Sequence, residues 1–337
     1  MRRATVTLND VAVASGVSAS TASRVLNGGK PVSAELEARV REAAARIGYV
    51  SNTAASAMRG RKGLLAILTD ELGVEALAEL SIAAGKAATT AGLTTTVSSA
   101  GTEPEQQLLA LRVLRSLRPR AIVITGGWLS DPAIRATLEH ELDDFVKDGG
   151  NVVVMGPAVL PHPTVSFDDF GDGVLIAQHM TAAGGESALV LAGPDSSMSN
   201  QARSMGIVAG LRESGVERIQ ILNSRNESDD VERVVTAHAT DAKPDMVLCV
   251  NDRLALGAYA AFDGLGLHLP RDVTLSGIDD LPISRNLTPS LTTVAHPLEA
   301  VGAHVVELAL QGASAEYRRT FPGTLIVRDS SRLGLQR

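Results

Sequence analysis

The chain has few aromatic residues and almost no cysteine. Phe, Trp and Tyr make up 3% of its 337 residues, and Trp128 is the single tryptophan. Any core must therefore be packed by Ala, Val, Leu and Ile, which is feasible because hydrophobic residues reach 45%. The lone cysteine, Cys249, excludes an internal disulfide and favours a reducing compartment. It lies within an apolar run and reads as a packing residue. No apolar run approaches the ~20 residues that a membrane-spanning helix needs. No apolar segment of a secretory signal follows Met1-Arg2-Arg3-Ala4-Thr5. The chain is thus expected to be cytoplasmic, with no membrane partner. Phosphate-binding signatures are also missing. No G-x-G-x-x-G follows the first apolar run, and no G-x-x-x-x-G-K-[S/T] occurs. The seven histidines form no zinc-like pair beside acids. Catalysis, a metal and a cofactor are therefore not expected.

Positive charge is scarce overall, at a net −7, but it is concentrated. Residues 1–62 hold ten Lys or Arg against four Asp or Glu, about +6. The remainder holds 21 against 34, or −13. A basic head on an acidic body is expected where one end meets a polyanion. A charged tail would give the same balance, but this head is rich in periodic Val, Leu and Ala.

Thr7 followed by Asp10 fits the start of a first helix, with Leu8, Val11 and Ala12 on one face and Gly16 at its end. Ser18 can cap a second helix running to about Leu26, with Ala22, Val25 and Leu26 inward. Asn27-Gly28-Gly29 closes it. Ser33 caps a third helix with the stripe Leu36, Val40, Ala44 and Ile47. Two short helices across a tight turn, closed by a third, give helix-turn-helix geometry, in which the second helix enters the DNA major groove. Ala19 and Ser20 are small enough for close approach to base edges. Ser18, Thr21 and Ser23 can donate to phosphates, and Arg24 can bond guanine bidentately. The same residues would also suit an ordinary solvated helix face.

Beyond residue 63, apolar runs alternate with amphipathic stretches. The runs are 64–69, 94–99, 121–125 and 151–156, then 188–193, 218–222, 245–250 and 273–277. The pattern predicts two doubly wound α/β subdomains with parallel sheets, and a ligand cleft beyond the carboxyl ends of the strands. Polar residues stand at several such ends: Asp168-Asp169, Asn251-Asp252 and Asp279-Asp280, with Arg203 in a helix opening as SNQARSMG. Singly, each would suit a cap or a solvated turn. Together they suggest a cleft for a hydroxyl-rich ligand. Asp70 and Trp128, also at strand ends, are candidates for its other wall. Trp128 would equally serve packing.

TLNDVAVASGVSASTASRVLNG, followed by PVSAELEARVREAAARIGYVSNTAASAMRG, resembles the N-terminal part of the lac-repressor/galactose-repressor (LacI/GalR) family of bacterial regulators. The resemblance implies that Thr7, Ser18, Thr21, Ser23, Asn27 and Ser33 hold the DNA backbone and that Ala19, Ser20 and Arg24 read bases. Tyr49 and Asn52 match further backbone-contacting positions. Residues 52–58 resemble the family's hinge helix, which packs in the operator minor groove. Ala55 matches the family alanine there, and Met58 stands where a leucine wedges between base pairs. In the body, CVNDRLALGAYAAFDGLGLHLPRDVTLSGIDDLPISRNLTPSLTTVAHP is similar to the family and implies effector contacts at Asn251 and Asp279. RSMG implies Arg203, and the first acid of Asp168-Asp169 matches the aspartate of the family's Asp-Asn pair. The chain departs from the family after LLAILTD, at Gly184-Gly185-Glu186, and at His296, where glutamine is usual.

The expected organisation is a helix-turn-helix domain at 1–50, a hinge at 51–62 and an effector-binding and dimerisation body at 63–337. The resemblance implies a homodimeric repressor on a near-palindromic DNA operator, controlled by a small-molecule effector, in most of the family a sugar. A purine-type corepressor, or a metabolite-binding module without DNA function, are the alternatives.

Overall fold

A computed structural model of the chain describes residues 6–27, 32–49, 63–69, 75–101, 103–125, 132–182, 184–225, 227–239 and 243–331. The head has three helices: α1 (Leu8–Ser15), α2 (Ala19–Asn27) and α3 (Ala34–Arg46). Each start has a local cause. Thr7 and Asp10 cap α1 reciprocally, and Gly16 ends it in the left-handed region at φ 66°. Ser18 Oγ accepts the Thr21 N–H at 3.1 Å. Ser33 caps α3 through the Leu36 N–H. Val11, Ala12, Ala22, Val25, Val40 and Ala44 form the buried centre, with Leu26, Ile47 and Tyr49 packed around it.

The body begins with β1 (Leu64–Thr69), α4 (Glu75–Thr90), β2 (Thr94–Ser99), α5 (Pro104–Ser116), β3 (Ala121–Thr125), α6 (Pro132–Lys147), β4 (Asn151–Met155) and β5 (Thr164–Phe167). Alternation along each strand divides its side chains between two cores. Leu65, Ile67 and Val123 face α4, whereas Ala66, Leu68, Ile122 and Ile124 face α5 and α6. That division explains why these strands read as unbroken apolar runs.

The second half holds α7 (Asp169–Ala182), β6 (Ser187–Leu191), α8 (Met198–Glu213), β7 (Arg218–Leu222), α9 (Ser228–Ala239), β8 (Met246–Cys249), α10 (Asp252–Gly264) and β9 (Thr274–Ser276). A short 3₁₀ turn (Pro282–Arg285) and β10 (Thr293–Ala295) follow. The chain then returns to the first half with α11 (Leu298–Gln311) and β11 (Arg318–Phe321), and ends in β12 (Thr324–Ile326), paired antiparallel with β10.

The first sheet is wholly parallel in the order β2-β1-β3-β4-β5-β11, and the second in the order β7-β6-β8-β9. Both reverse direction beside their first strand, the topological switch that opens a crevice at carboxyl ends. The eight expected strands are all present. Helix α7 and the return of α11 and β11 are additions: the halves are not consecutive in sequence, and the chain crosses between them three times, near residues 168, 296 and 322.

Candidate DNA-reading head and effector cleft

Helix α2 presents two unlike faces. Ala22 and Val25 are buried, whereas Ser18, Ala19, Ser20 and Arg24 are exposed. The Ser18 hydroxyl lies 2.8 Å from those of both Ser20 and Thr21, so three hydroxyls cluster at the amino end of the helix. Thr7 and Ser33 are exposed caps of their own helices. Thr21 and Ser23 are half-buried, and Asn27 is the last residue of α2. Tyr49 packs on the head core, and its N–H donates to the Ala44 carbonyl. Asn52, Ala55 and Met58 lie outside the described residues, as do Asp70 and Trp128.

The body's polar cluster centres on Arg203, on α8. Its Nε donates to Asp169 Oδ1 at 2.7 Å. Its Nη1 donates to Asp279 Oδ1 at 2.9 Å and to the Val250 carbonyl at 3.0 Å. Burial alone would lower the guanidinium pKa, but Asp279 and Asp169 together outweigh it and hold the group raised and charged. Asp279 also lies 3.6 Å from His296 Nδ1. The other imidazole nitrogen donates to Asp172 Oδ2 at 2.9 Å, since a carboxylate can only accept. Asp172 Oδ1 in turn accepts the Gly323 N–H at 2.8 Å. Phe167 stacks on His296 with ring centroids 4.1 Å apart. The network therefore touches all three crossovers: Phe167 at the first, His296 at the second and Gly323 at the third.

Behind it, Asp252 is fully buried. It accepts from the Leu281 N–H, the Ser284 hydroxyl and the Thr293 hydroxyl. Burial, then the nearby Asp279 charge, push its pKa up to about 7 against the lowering of these hydrogen bonds. The three bonds tie the start of α10 to the segment just after the Asp279-Asp280 turn and to β10. Both turn residues adopt positive φ, 116° and 50°, a strained backbone for residues other than glycine. Asp280 is held by Arg328.

Of the expected cleft residues, Arg203 and Asp279 are in direct contact, and Arg203 also bonds the carbonyl of Val250, the chain neighbour of Asn251. Asn251 caps α10 through its Oδ1, 2.9 Å from the Leu254 N–H. Asp168 is half-buried and accepts the Gly171 N–H, while its neighbour Asp169 takes Arg203. Asp172 and the structural role of Asp252 went unread. Asp172 has no local signal, because its partners His296 and Gly323 lie 124 and 151 residues away. His296 was visible only as a departure from the family pattern.

A helix-turn-helix head joined to a two-half ligand-binding body is the construction of an effector-controlled transcriptional regulator. Residues 7–52 match the model for bacterial regulatory proteins of the lacI family, and residues 177–331 match a periplasmic binding protein-like domain. The sucrose operon repressor of Escherichia coli is 27% identical over 336 residues, covering 96% of this chain and 99% of that one. The transcriptional regulator MalR of Streptomyces coelicolor is 29% identical over 345 residues, covering 97% of each. Among solved structures, a lac repressor dimer bound to operator and an anti-inducer superposes with a TM-score of 0.84 at 25% identity, over 97% of this chain and 99% of that one. The chain thus combines a DNA-binding segment matching the lacI family with a periplasmic binding protein-like segment, and it is similar over nearly its whole length to lacI-type repressors.

Proposed function

We propose that the protein is a cytoplasmic, non-enzymatic repressor. It binds a near-palindromic operator as a homodimer and changes its operator affinity when a sugar occupies the cleft between the two halves of the body. The division is a head at 1–50, a hinge at 51–62 and a body at 63–337. The observation that carries this reading is the split character of α2: a buried apolar face seats it on the head, and an exposed face of hydroxyls and one arginine is left for DNA. Arg24 makes no hydrogen bond or ion pair among the described residues, so its five donors are available to base edges. Thr7, Ser18, Thr21, Ser23, Asn27, Ser33, Tyr49 and Asn52 would hold the backbone. Ala19 and Ser20 would pack on bases, and Ala55 and Met58 would sit in the minor groove.

Effector contacts are assigned to Asp168, Arg203, Asn251 and Asp279, with Asp70 and Trp128 from the opposing wall. A sugar is favoured because acceptors and a fixed guanidinium converge at the carboxyl ends of the strands. Sugars also appear among relatives and neighbours, which include a ribose operon repressor and a regulator solved with cellobiose. Pairing of two bodies is supported by the free sheet edge β2. Exposed Val97 lies on it, and exposed Ile82, Leu109 and Val113 lie on the flanking helices α4 and α5.

Selection from a random duplex pool tests the operator claim: the full-length protein should recover a sequence with two related half-sites. Arg24→Ala should weaken binding to that sequence by about 1–3 kcal/mol and relax the preference at one position per half-site. An unchanged footprint and affinity would remove Arg24 from the reading surface.

A further inference from the structure

Asn200 carries a side-chain amide that the fold does not use. The residue is 6% exposed. Its backbone N–H donates to the Ser197 hydroxyl at 3.3 Å, a helix-capping bond that needs nothing from the side chain. The amide itself makes no hydrogen bond among the described residues. Its polar atoms are not among the fully enclosed ones, so the amide keeps access to the space outside the fold and is open to a partner that arrives later. Its position shows where. Asn200, Arg203, Ser204 and Ile207 are spaced i, i+3, i+4 and i+7 on the buried face of α8. Ile207 belongs to the core and Arg203 to the cleft network. Asn200 lies one turn further toward the carboxyl edge of the second sheet, beside the guanidinium.

We propose that Asn200 is a specificity-determining effector contact, its amide reading two neighbouring hydroxyl groups of an uncharged ligand. The inference rests on the reading of this cleft as the effector site. A carboxamide presents one donor group and one acceptor side by side. Adjacent hydroxyls, one accepting and one donating, match that pair. Arg203 leaves only Nη2 without a protein partner among the described residues. The ligand carries no negative charge, because Arg203 is already answered by Asp169 and Asp279, while Asp168 and Asp172 add further carboxylates. A sugar phosphate would meet a wall of net negative charge.

The test uses full-length protein, and its first arm is run with no ligand present. Asn200→Leu should melt at about the same temperature as the unaltered protein, because the side chain makes no hydrogen bond among the described residues that the change would break. A drop of several degrees would mean that the amide has a structural partner, and would overturn the inference. The second arm measures binding of D-glucose, D-galactose, D-ribose, sucrose, maltose, cellobiose and glucose 6-phosphate by calorimetry. A neutral sugar should bind, the phosphate should not, and Asn200→Ala should lose at least tenfold in affinity. Deoxygenation of one of two adjacent hydroxyls on the bound sugar should cost the unaltered protein similarly but leave Asn200→Ala indifferent. A sugar bound equally by Asn200→Ala but weakened by Asp168→Asn would overturn the role of Asn200 and leave the cleft intact. A sugar weakened by neither change would overturn the cleft itself. Tighter binding of the phosphate, or no binding of any neutral sugar, would overturn the ligand class.

Discussion

Asp252 holds its proton to higher pH than an ordinary carboxyl, from 3.8 up to about 7, and this has a consequence for stability. The unfolded chain releases that proton near pH 4, whereas the folded chain keeps it until about 7. The stabilising contribution is therefore complete below about pH 4 and is lost as pH rises through 7. Asp252→Asn removes the titration. Its Oδ1 can still accept from the Leu281 N–H and the Ser284 hydroxyl, and the Thr293 hydroxyl can rotate to accept from the new amide. Urea unfolding between pH 5 and 8 should show a flatter profile in Asp252→Asn than in the unaltered protein. Equal slopes would refute the assignment. Arg203 shows how the structure changes the reading of a residue. Its family position implied an effector contact. Seated between two part-buried carboxylates, it also holds the wall together. Arg203→Ala would leave Asp169 and Asp279 uncompensated and cost about 3–5 kcal/mol of stability. Loss of effector response in that variant would not by itself identify a contact.

Among elements, the tightest junction joins α7 to α8, and glycine makes it possible. A Cβ at Gly206 would stand 2.1 Å from the Phe170 carbonyl oxygen, and one at Gly173 would stand 2.3 Å from that of Arg203. The two backbones approach so closely that Asp169, in the first turn of α7, reaches the guanidinium on α8. Gly206→Ala should force the helices apart, cost about 1–3 kcal/mol in chemical denaturation and weaken the effector response. Gly264→Ala serves as the contrast, since a Cβ there meets nothing within 4 Å and the backbone is unstrained. It should be neutral or stabilising by up to ~1 kcal/mol. A Gly206→Ala protein as stable as Gly264→Ala would show that the contact can yield. Most elements were legible in the sequence, because strand and helix periods differ. Helix α7 was the exception: FDDFGDGVLIAQHM mixes glycine and acids with its apolar residues, and its inward face is set by Gly173 against α8.

For the whole molecule, the Arg203–Asp279–His296–Asp172–Gly323 chain of contacts joins the cleft to all three crossovers. A ligand that draws on Arg203 or Asp279 thereby acts on the segments about which the halves can turn. His296→Gln keeps a donor for Asp172 and should keep effector-induced change in operator affinity, measured by fluorescence anisotropy. His296→Leu leaves Asp172 without that donor. It should bind operator normally but respond weakly to ligand, and a full response would disconnect the network from allostery. The amino-acid order alone determined the caps, the apolar faces, the strands and the basic head, because each depends on neighbours within a few residues. It also brought Arg203 and Asp279 under suspicion through strand-end polarity and family likeness. Only the tertiary structure decided which acid of the Asp168-Asp169 pair takes the arginine, that Asp172 meets His296, and that the Asn200 side chain has no hydrogen-bond partner among the described residues. Those outcomes depend on where segments more than thirty residues apart come to rest, and no local period or propensity encodes that placement.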